Sequence, residues 1–518
     1  MSDQPASAKP TDPAPLMGPD QGGARGSTQP VGPATSNPGG PAKPIGPALR
    51  TSPNQAVDPG SAQAAGPGFV QPVEPAPGES ADAPAGTGRP AEGAPNPAGP
   101  PGAAELAPPR GTDDILPPES LRWHAATRLA MDSFARAGYA PIETPIFEHT
   151  EVFERGVGIA SEVVGKEMYT FTDRGGRSLT LRPELTAPVM RAVLGHNLHR
   201  ARLPVKLAYA GPLFRQERPQ KGRYRQFSQV GIEAIGSMSP AIDAEVIEVG
   251  DRYLRDAGVE PTLLLNSIGH LDPGCRTGYL KLLTEYLVVN QAALAPVDVE
   301  RISLNPLRTF DSKESRTIEV MRRAPLITDH LCDDCRRHFD AVQRHLVRLD
   351  VPYTLDPHLV RGLDYYTRTA FEFTADGLGS QNAVGGGGRY DGLAESLGGR
   401  HLPGIGFALG LDRILLSGFQ TKDQTGPVAA YVVAIGSAAI EHALVIATRL
   451  RAAGIGADLD FLDRSVKGQM KDAARSGGRW AVIVGDEEIA GNNVTLKDLG
   501  TGEQETVALE DLVGRLKP

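Results

Sequence analysis

Between positions 120 and 138 the apolar residues Leu121, Trp123, Leu129 and Phe134 recur at near-helical spacing, and the stretch ends at Gly138. That period predicts a helix closed by a glycine. The following segment, Tyr139–Glu148 (YAPIETPIFE), alternates apolar residues around Pro141 and Pro145. It reads as an edge-type strand, because proline cannot donate to a central ladder. Strands are predicted over 178–184, 204–214 and 224–235; in the last, Tyr224, Phe227, Val230 and Ile232 approximate a two-residue period. A helix over 241–256 stops at Gly258, strands follow over 360–374 and 403–410, and a helix begins after Leu411. Many strands joined by hairpin-like loops, without strict strand–helix alternation, predict an α+β domain on a mostly antiparallel sheet. After about Thr425 the rhythm changes. An apolar strand at Val428–Ile435, a helix over 439–453, a strand at Ala457–Phe461, a helix over 465–476 and a strand at Trp480–Val484 alternate. This predicts a separate small α/β domain over 426–518.

Composition changes the picture mainly at the start of the chain. Of the 45 prolines, 25 precede Gly111, and Phe69 is the only aromatic residue before it. Such a segment cannot bury enough apolar surface to offset its backbone entropy, so residues 1–109 are expected to be a disordered extension with polyproline II character. Residues 110–425 and 426–518 are left as the folded domains. Acidic residues run through the extension and arginine is scarce, which argues against a transit peptide. Lys and Arg total 53 against 62 Asp and Glu, a net charge of −9. This excludes a wholesale basic binder but not a local basic patch. Three cysteines, Cys275, Cys332 and Cys335, are too few and odd in number for a disulfide framework and fit a reducing compartment. There is no apolar run of ~18 residues and no apolar leader, so a cytoplasmic protein without a membrane span is expected. Cys332-Asp-Asp-Cys335 with His338 has the look of half a zinc site. Four ligands are needed and no second pair follows, so a helix and no metal are expected there.

Five segments carry chemistry. Phe214–Glu233 (FRQERPQKGRYRQFSQVGIE) concentrates Arg215, Arg218, Lys221, Arg223 and Arg225 around a glycine between two strands. Guanidinium forks in such a loop suit a polyphosphate, and Phe227 offers a face for a base. Gln229 and Glu233 follow with strand alternation and would line the same sheet face. Leu181–Thr186 (LRPELT) places Glu184 and Thr186 two apart, a carboxylate and a hydroxyl suited to an ammonium group, or equally a helix cap. Leu359–Phe373 (LVRGLDYYTRTAFEF) sets Arg361 beside a glycine, ahead of Tyr365 and Tyr366, a pair of the kind usually found in cores. Val384–Gly392 (VGGGGRYDG) has four consecutive glycines, which rule out a regular strand interior but let a ligand approach the backbone. It lacks the spacing of a Walker loop or a dinucleotide fingerprint. Pro403–Arg413 (PGIGFALGLDR) places Arg413 near a helix start, poised for a phosphate or an adenine face.

Together these segments resemble a class II aminoacyl-tRNA synthetase. The words RGTDDILP (110–117), FRQERPQKGRYRQF, LVRGLDYYTRTAFEF and GGRYDGL resemble the histidyl-tRNA synthetase family over nearly all the chain after Arg110. The resemblance implies histidine, ATP with Mg²⁺, and tRNA as partners, and a homodimer. It implies Pro145 as the dimer-motif proline and Arg215 as the arginine shared by the ATP α-phosphate and the amino-acid carboxylate. Arg223 would meet the γ-phosphate, and Phe227 and Arg413 would sandwich adenine. Glu184, Thr186 and Gln229 would hold the histidine α-amino group, with Glu233, Tyr365, Tyr366 and Tyr390 around the side chain. Arg361 would stand beside the α-phosphate. Leu185, Ser228 and Asp412 occupy positions where glycine, histidine and glutamate are common in the family, and none of them removes a charged ligand. The C-terminal domain resembles the anticodon-binding module of this class, with Arg464, Lys467, Lys471, Arg475 and Arg479 as a basic run for tRNA phosphates. A regulatory paralogue, similar to the regulatory subunit of ATP phosphoribosyltransferase, and a tRNA-sensing module without catalysis are the alternatives. Retention of Arg215, Arg223, Arg361, Arg413 and the C-terminal module favours the enzyme.

Overall fold

A computed structural model describes residues 107–517, apart from 159–160, 162, 272–274, 379–381 and 421–427. The expected disordered extension up to 106, and the domain boundary near Thr425, lie outside the described residues.

An eight-stranded sheet organises the larger part of the chain. Its strands run in the spatial order Ala140–Pro141, Val205–Phe214, Gln226–Ile235, Gly404–Gly410, Ala383–Arg389, Thr367–Thr374, Thr262–Ser267 and Thr354–Leu355. Pairing is antiparallel except at the two edges, where Ala140–Pro141 and Thr354–Leu355 are parallel to their neighbours. The two-residue period of Gln226–Ile235 explains the layering. Val230, Ile232 and Ala234 join Ile405, Phe407, Phe371 and Phe373 in a core beneath helices Glu119–Arg136, Pro240–Asp256 and Asp333–Arg348. Gln229, Gly231 and Glu233 alternate with them and so face the other way. A second core on that side holds Tyr209, Leu213, Tyr365, Tyr366 and Tyr390 together with helix Thr186–Gly195.

A small antiparallel sheet of Phe147–His149, Ser178–Leu181 and Tyr169–Thr172 lies apart from the large one. The C-terminal part has a five-stranded sheet ordered Ala457–Leu459, Ala430–Ala434, Trp480–Val484, Asn493–Asp498 and Gln504–Ala508. Its first three strands are parallel, as strand–helix alternation predicts, and an antiparallel hairpin not read from the sequence completes it.

Three expectations need correction. Tyr139–Glu148 is not one strand: Ala140–Pro141 and Phe147–His149 belong to different sheets, and the proline-bearing link between them turns the chain. The strand expected over 360–374 begins only at Thr367, leaving Arg361–Tyr366 as irregular chain against the site. The four glycines do form a strand, Ala383–Arg389, with pairing irregularities at both ends. Its neighbours supply the order that the glycines lack.

Candidate active site

The site is built on the face of the large sheet opposite the three helices. The hairpin of Val205–Phe214 and Gln226–Ile235 places Tyr209 opposite Gly231, Gly211 opposite Gln229 and Leu213 opposite Phe227. On its far side Gly406 stands opposite Glu233 and Gly410 opposite Gln229. The glycines are required by these neighbours. A Cβ on Gly406 would stand 1.9 Å from Glu233 Oε2, and one on Gly404 would stand 2.0 Å from the Tyr390 ring. On the adjoining strand, Gly386 leaves room for Arg361 and Gly388 for Tyr366, at 3.0 and 2.9 Å from the missing Cβ. Close approach, rather than turn formation, is what selects glycine here.

Glu233 is buried at the centre of this pocket. Thr186 Oγ1 donates to its Oε1 at 2.8 Å, Tyr209 Oη to the same oxygen at 3.1 Å, and Tyr390 Oη to Oε2 at 2.5 Å. Burial pushes its pKa from 4.5 up to about 8, even though the Tyr390 and Thr186 hydroxyls pull the other way. Glu184 is buried 4% exposed and accepts from the backbone N–H groups of Thr186 and Ala187 at 2.8 and 2.9 Å. It therefore caps helix Thr186–Gly195 while Tyr365 Oη reaches its Oε2 at 3.4 Å, so the capping and pocket-lining roles coincide. Burial raises its pKa, opposed by those backbone donors and by Arg215. Tyr365 packs on Tyr366 at 4.6 Å between ring centroids and edge-on to Tyr390 at 5.9 Å.

A cleft of about 220 Å³ adjoins this pocket and is lined by Arg215, Arg223, Arg361, Arg413, Phe227 and Gln229, with Glu217, Glu372 and Asp412. Arg215 Nε donates to the Pro183 carbonyl at 3.0 Å, and its guanidinium lies 5.3 Å from the Phe227 ring centre. Arg223 pairs with Glu217 at 3.2 Å. Arg361 donates to Glu372 at 2.7 Å, with its guanidinium 5.7 Å from the Tyr366 ring centre. Arg413 Nε donates to the Gly222 carbonyl at 3.0 Å, which ties it to the hairpin loop. Burial first, then the neighbouring Arg223 charge, lowers the Arg413 pKa. Four guanidiniums against three carboxylates leave the enclosure net positive, which favours an anion.

The four arginines separated in sequence thus share one cleft, and the buried carboxylates share the pocket beside it. In this structure the Phe227 face carries Arg215, not Arg413, although both side chains line the cleft. Two of the family departures touch: the Ser228 backbone N–H donates to Asp412 Oδ2 at 3.2 Å. Burial raises the Asp412 pKa to about 6. Pro145 lies outside the site, on an exposed stretch with Ile146 and Phe147. Tyr209 is a pocket residue that sequence reading missed. Its only signal was alternation within Val205–Phe214, whose register against Glu233 needs the structure. His338 stands away from the Cys332–Cys335 pair and bonds Asp243 at 2.8 Å instead.

Of the C-terminal basic run, Arg464 and Arg475 pair with Asp472, and Arg479 pairs with Asp498 at 2.9 Å and stacks on Trp480. Lys467 and Lys471 are exposed on helix Val466–Arg475, beside the strongly exposed Phe461 and Leu462.

Comparison with known proteins agrees with this geometry. The family model described as histidyl-tRNA synthetase matches residues 111–272 and 288–414, and the anticodon binding domain model matches 429–518. The histidine–tRNA ligase of Mycolicibacterium vanbaalenii is 50% identical over 412 residues, which cover 79% of this chain and 97% of that protein. That of Moorella thermoacetica is 51% identical over 409 residues, 78% of this chain and 96% of that protein. Among solved structures, apo histidyl-tRNA synthetase of S. aureus is 37% identical with a TM-score of 0.67, covering 80% of this chain and 100% of that one. The Nostoc histidyl-tRNA synthetase shares the fold at 23% identity and a TM-score of 0.60, covering 79% and 99%. The chain belongs to the histidyl-tRNA synthetase family.

Proposed function

We propose that the arginine cleft and the carboxylate pocket beside it join histidine to ATP and then to tRNA, with each residue in the role its position suits. The chain is an aminoacyl-tRNA synthetase, a ligase that attaches histidine to its tRNA with the use of ATP. A histidine carboxylate oxygen attacks the α-phosphorus of ATP. A P–O bond forms, the bond to pyrophosphate breaks, and histidyl-adenylate results. A terminal ribose hydroxyl of tRNA then attacks the acyl carbon, loses its proton, and releases AMP. In the first step negative charge concentrates around the α-phosphorus. Fixed cations and positioning carry such a reaction, with no covalent work by the protein.

Arg215 and Arg361 flank that charge, Arg223 takes the distal phosphates, and Phe227 and Arg413 hold adenine. Glu184, Thr186 and Gln229 receive the α-ammonium. Glu233, with Tyr365, Tyr366 and Tyr390, surrounds the imidazole. Magnesium takes hard oxygen donors, and Glu217 and Glu372 present such donors in the cleft. When bound with ATP, magnesium would offset charge on the β- and γ-phosphates. Phe461 presents a stacking face, and Lys467 and Lys471 present cations, to the tRNA.

The domains run over 110–425 and 426–518, behind the extension of 1–109. Pro145, Ile146 and Phe147, with Phe147 edge-on to the exposed Phe171 at 6.4 Å, form the homodimer surface. Among the described residues no helix is long and apolar enough to cross a membrane. Residence in the cytoplasm fits a tRNA substrate and three cysteines outside any disulfide.

The observation that carries this reading is Glu233, buried under three hydroxyl donors beside the arginine cleft. A site built on such hydrogen bonds rejects apolar analogues by orders of magnitude. The test is histidine-dependent ATP–pyrophosphate exchange on the purified protein, followed by charging of tRNA. Arg361→Ala is expected to abolish exchange while the fold persists by circular dichroism. Histidine binding without exchange in the unaltered protein would make the site a sensor instead, and a near-normal rate in Arg361→Ala would remove that arginine from its role.

A further inference from the structure

Three cysteines and one histidine converge far from the arginine cleft in sequence. His270 follows strand Thr262–Ser267, Cys275 precedes helix Arg276–Val289, and Cys332 and Cys335 open helix Asp333–Arg348. One ligand atom from each lies within 4.8 Å of every other. Cys275 Sγ and Cys335 Sγ are 3.8 Å apart, Cys332 Sγ and His270 Nδ1 3.7 Å, and His270 Nδ1 and Cys335 Sγ 2.9 Å. A tetrahedron with metal–sulfur bonds of 2.3 Å has edges of roughly 3.8 Å. We propose that His270, Cys275, Cys332 and Cys335 hold one zinc ion.

The surroundings fit a thiolate site. Cys332 is the N-cap of a 16-residue helix, and its Sγ accepts from the Cys335 backbone N–H at 3.5 Å. The helix start turns backbone N–H groups toward the Cys332 sulfur. Arg368 Nη1 donates to Cys335 Sγ at 3.6 Å and holds Asp334 with Nη2 at 3.0 Å, so a guanidinium supports the sulfur from behind. Gly269 adopts φ +66°, and a Cβ there would stand 3.0 Å from Cys275 Sγ, so the backbone makes way for the cluster. No disulfide joins the three cysteines. Three soft sulfurs and an imidazole with no open carboxylate select zinc in closed coordination, a structural rather than a catalytic arrangement. On binding, the three thiol protons pass to solvent, and the 2.9 Å contact opens as zinc takes its place between nitrogen and sulfur.

The position gives the ion a task. Cys275 and Cys332 stand at the two ends of segment 276–331, so the metal clips the base of that insertion. Arg276 at this base donates to the Tyr366 carbonyl at 2.7 Å, and Ile268 N–H donates to Arg368 O at 2.7 Å. The clip thus adjoins the backbone that carries Tyr366 into the histidine pocket.

The test is elemental analysis of the full chain, expressed with zinc and purified under reducing conditions without chelators. About one zinc per chain is expected. The Cys332→Ser variant, checked for folding by circular dichroism, is expected to lose most of it, and Co²⁺ in place of zinc should give the spectrum of tetrahedral thiolate coordination. Metal-free protein, another metal in its place, or a Cys275–Cys335 disulfide found by mass spectrometry would overturn the proposal. A folded Cys332→Ser variant with full zinc would do so as well; where that variant does not fold, the zinc content and Co²⁺ spectrum of the unaltered protein decide.

Discussion

Gly406→Ala tests the pocket at its narrowest point. The added Cβ would stand 1.9 Å from Glu233 Oε2 and 2.4 Å from the Ile232 carbonyl oxygen. Ordinary contact begins at 3.4 Å, so the carboxylate must retreat by about 1.5 Å. At that displacement the Tyr390 bond, now 2.5 Å, and the Thr186 bond, now 2.8 Å, cannot both survive. Misplacing a reacting or binding group by ~1 Å costs about 10²-fold, and a lost hydrogen bond adds about 0.5–1.5 kcal/mol. The expected result is a fall in kcat/KM for histidine of roughly 10²–10³-fold, equivalent to about 3–4 kcal/mol. KM for ATP should stay near its original value, because Gly406 does not border the arginine cleft. The assay is pyrophosphate exchange with histidine and ATP varied separately, alongside a melting curve to show that the variant is folded. A folded Gly406→Ala protein with unchanged kcat/KM for histidine would refute the placement of Glu233 as the imidazole partner.

Glu233→Gln is expected to separate stability from pH. Burial raises the Glu233 pKa from 4.5 to about 8, so the folded state keeps a proton that the unfolded state has lost across that window. The group's contribution is full below pH 4.5 and is lost as pH rises to 8, at up to about 1.4 kcal/mol per unit. The ligand-free variant should therefore gain melting temperature relative to the unaltered protein between pH 5 and 8; a constant difference across that range would contradict the burial. Removal of residues 1–106 should leave charging unchanged, whereas removal of 1–116 should lower it. Gly111 O accepts from the Arg225 backbone N–H at 2.7 Å, and Arg225 Nη1 donates to Arg110 O at 3.3 Å. Equal rates for the two truncations would dismiss that anchor. Phe147→Glu should turn a dimer into a monomer by light scattering, since Phe147 is 52% exposed beside Phe171 at 44%; a dimeric variant would place the interface elsewhere.

Most strands were legible because each binds its core through a period of two, as in Val230, Ile232 and Ala234. The C-terminal α/β alternation was legible for a different reason: Ala430–Ala434 and Trp480–Val484 are continuous apolar runs, as central parallel strands covered on both faces require. The reading failed where tertiary pairing decides local structure. The four glycines have no strand propensity of their own, yet they pair on both sides with Thr367–Thr374 and Gly404–Gly410. Arg361–Tyr366 runs directly into the strand Thr367–Thr374 and was read with it, but it lies outside the sheet and brings a cation and two rings to the site. The charged residues that line the cleft were singled out in the sequence because their motifs are local. Tyr209 was not, because a tyrosine in a strand looks like core until its register against Gly231 is known. The cysteine cluster was half visible for a related reason: Cys332 and Cys335 are three positions apart, while His270 and Cys275 come from the other end of segment 276–331.

The order of strands explains why binding and chemistry are assigned to different stretches of sequence and still meet. Gln226–Ile235 and Gly404–Gly410 are neighbours in the sheet although the whole insertion lies between them in the chain. One hairpin therefore supplies Glu233 and Arg215, while the later strands supply the glycines that let Glu233, Tyr390 and Arg361 crowd together. The two carboxylates divide the work through their surroundings. Glu184 has two backbone N–H donors and the Arg215 charge opposing the burial that raises its pKa. Glu233 has only hydroxyls around it and is held close to neutrality in the empty pocket. A neutral or weakly charged partner is tolerated there without a buried ion left alone, and an imidazole that can donate or accept a proton completes it. On the proposed reading, an apolar side chain of similar size would bring no N–H to the buried Glu233 carboxyl group, and that missing bond disfavours it.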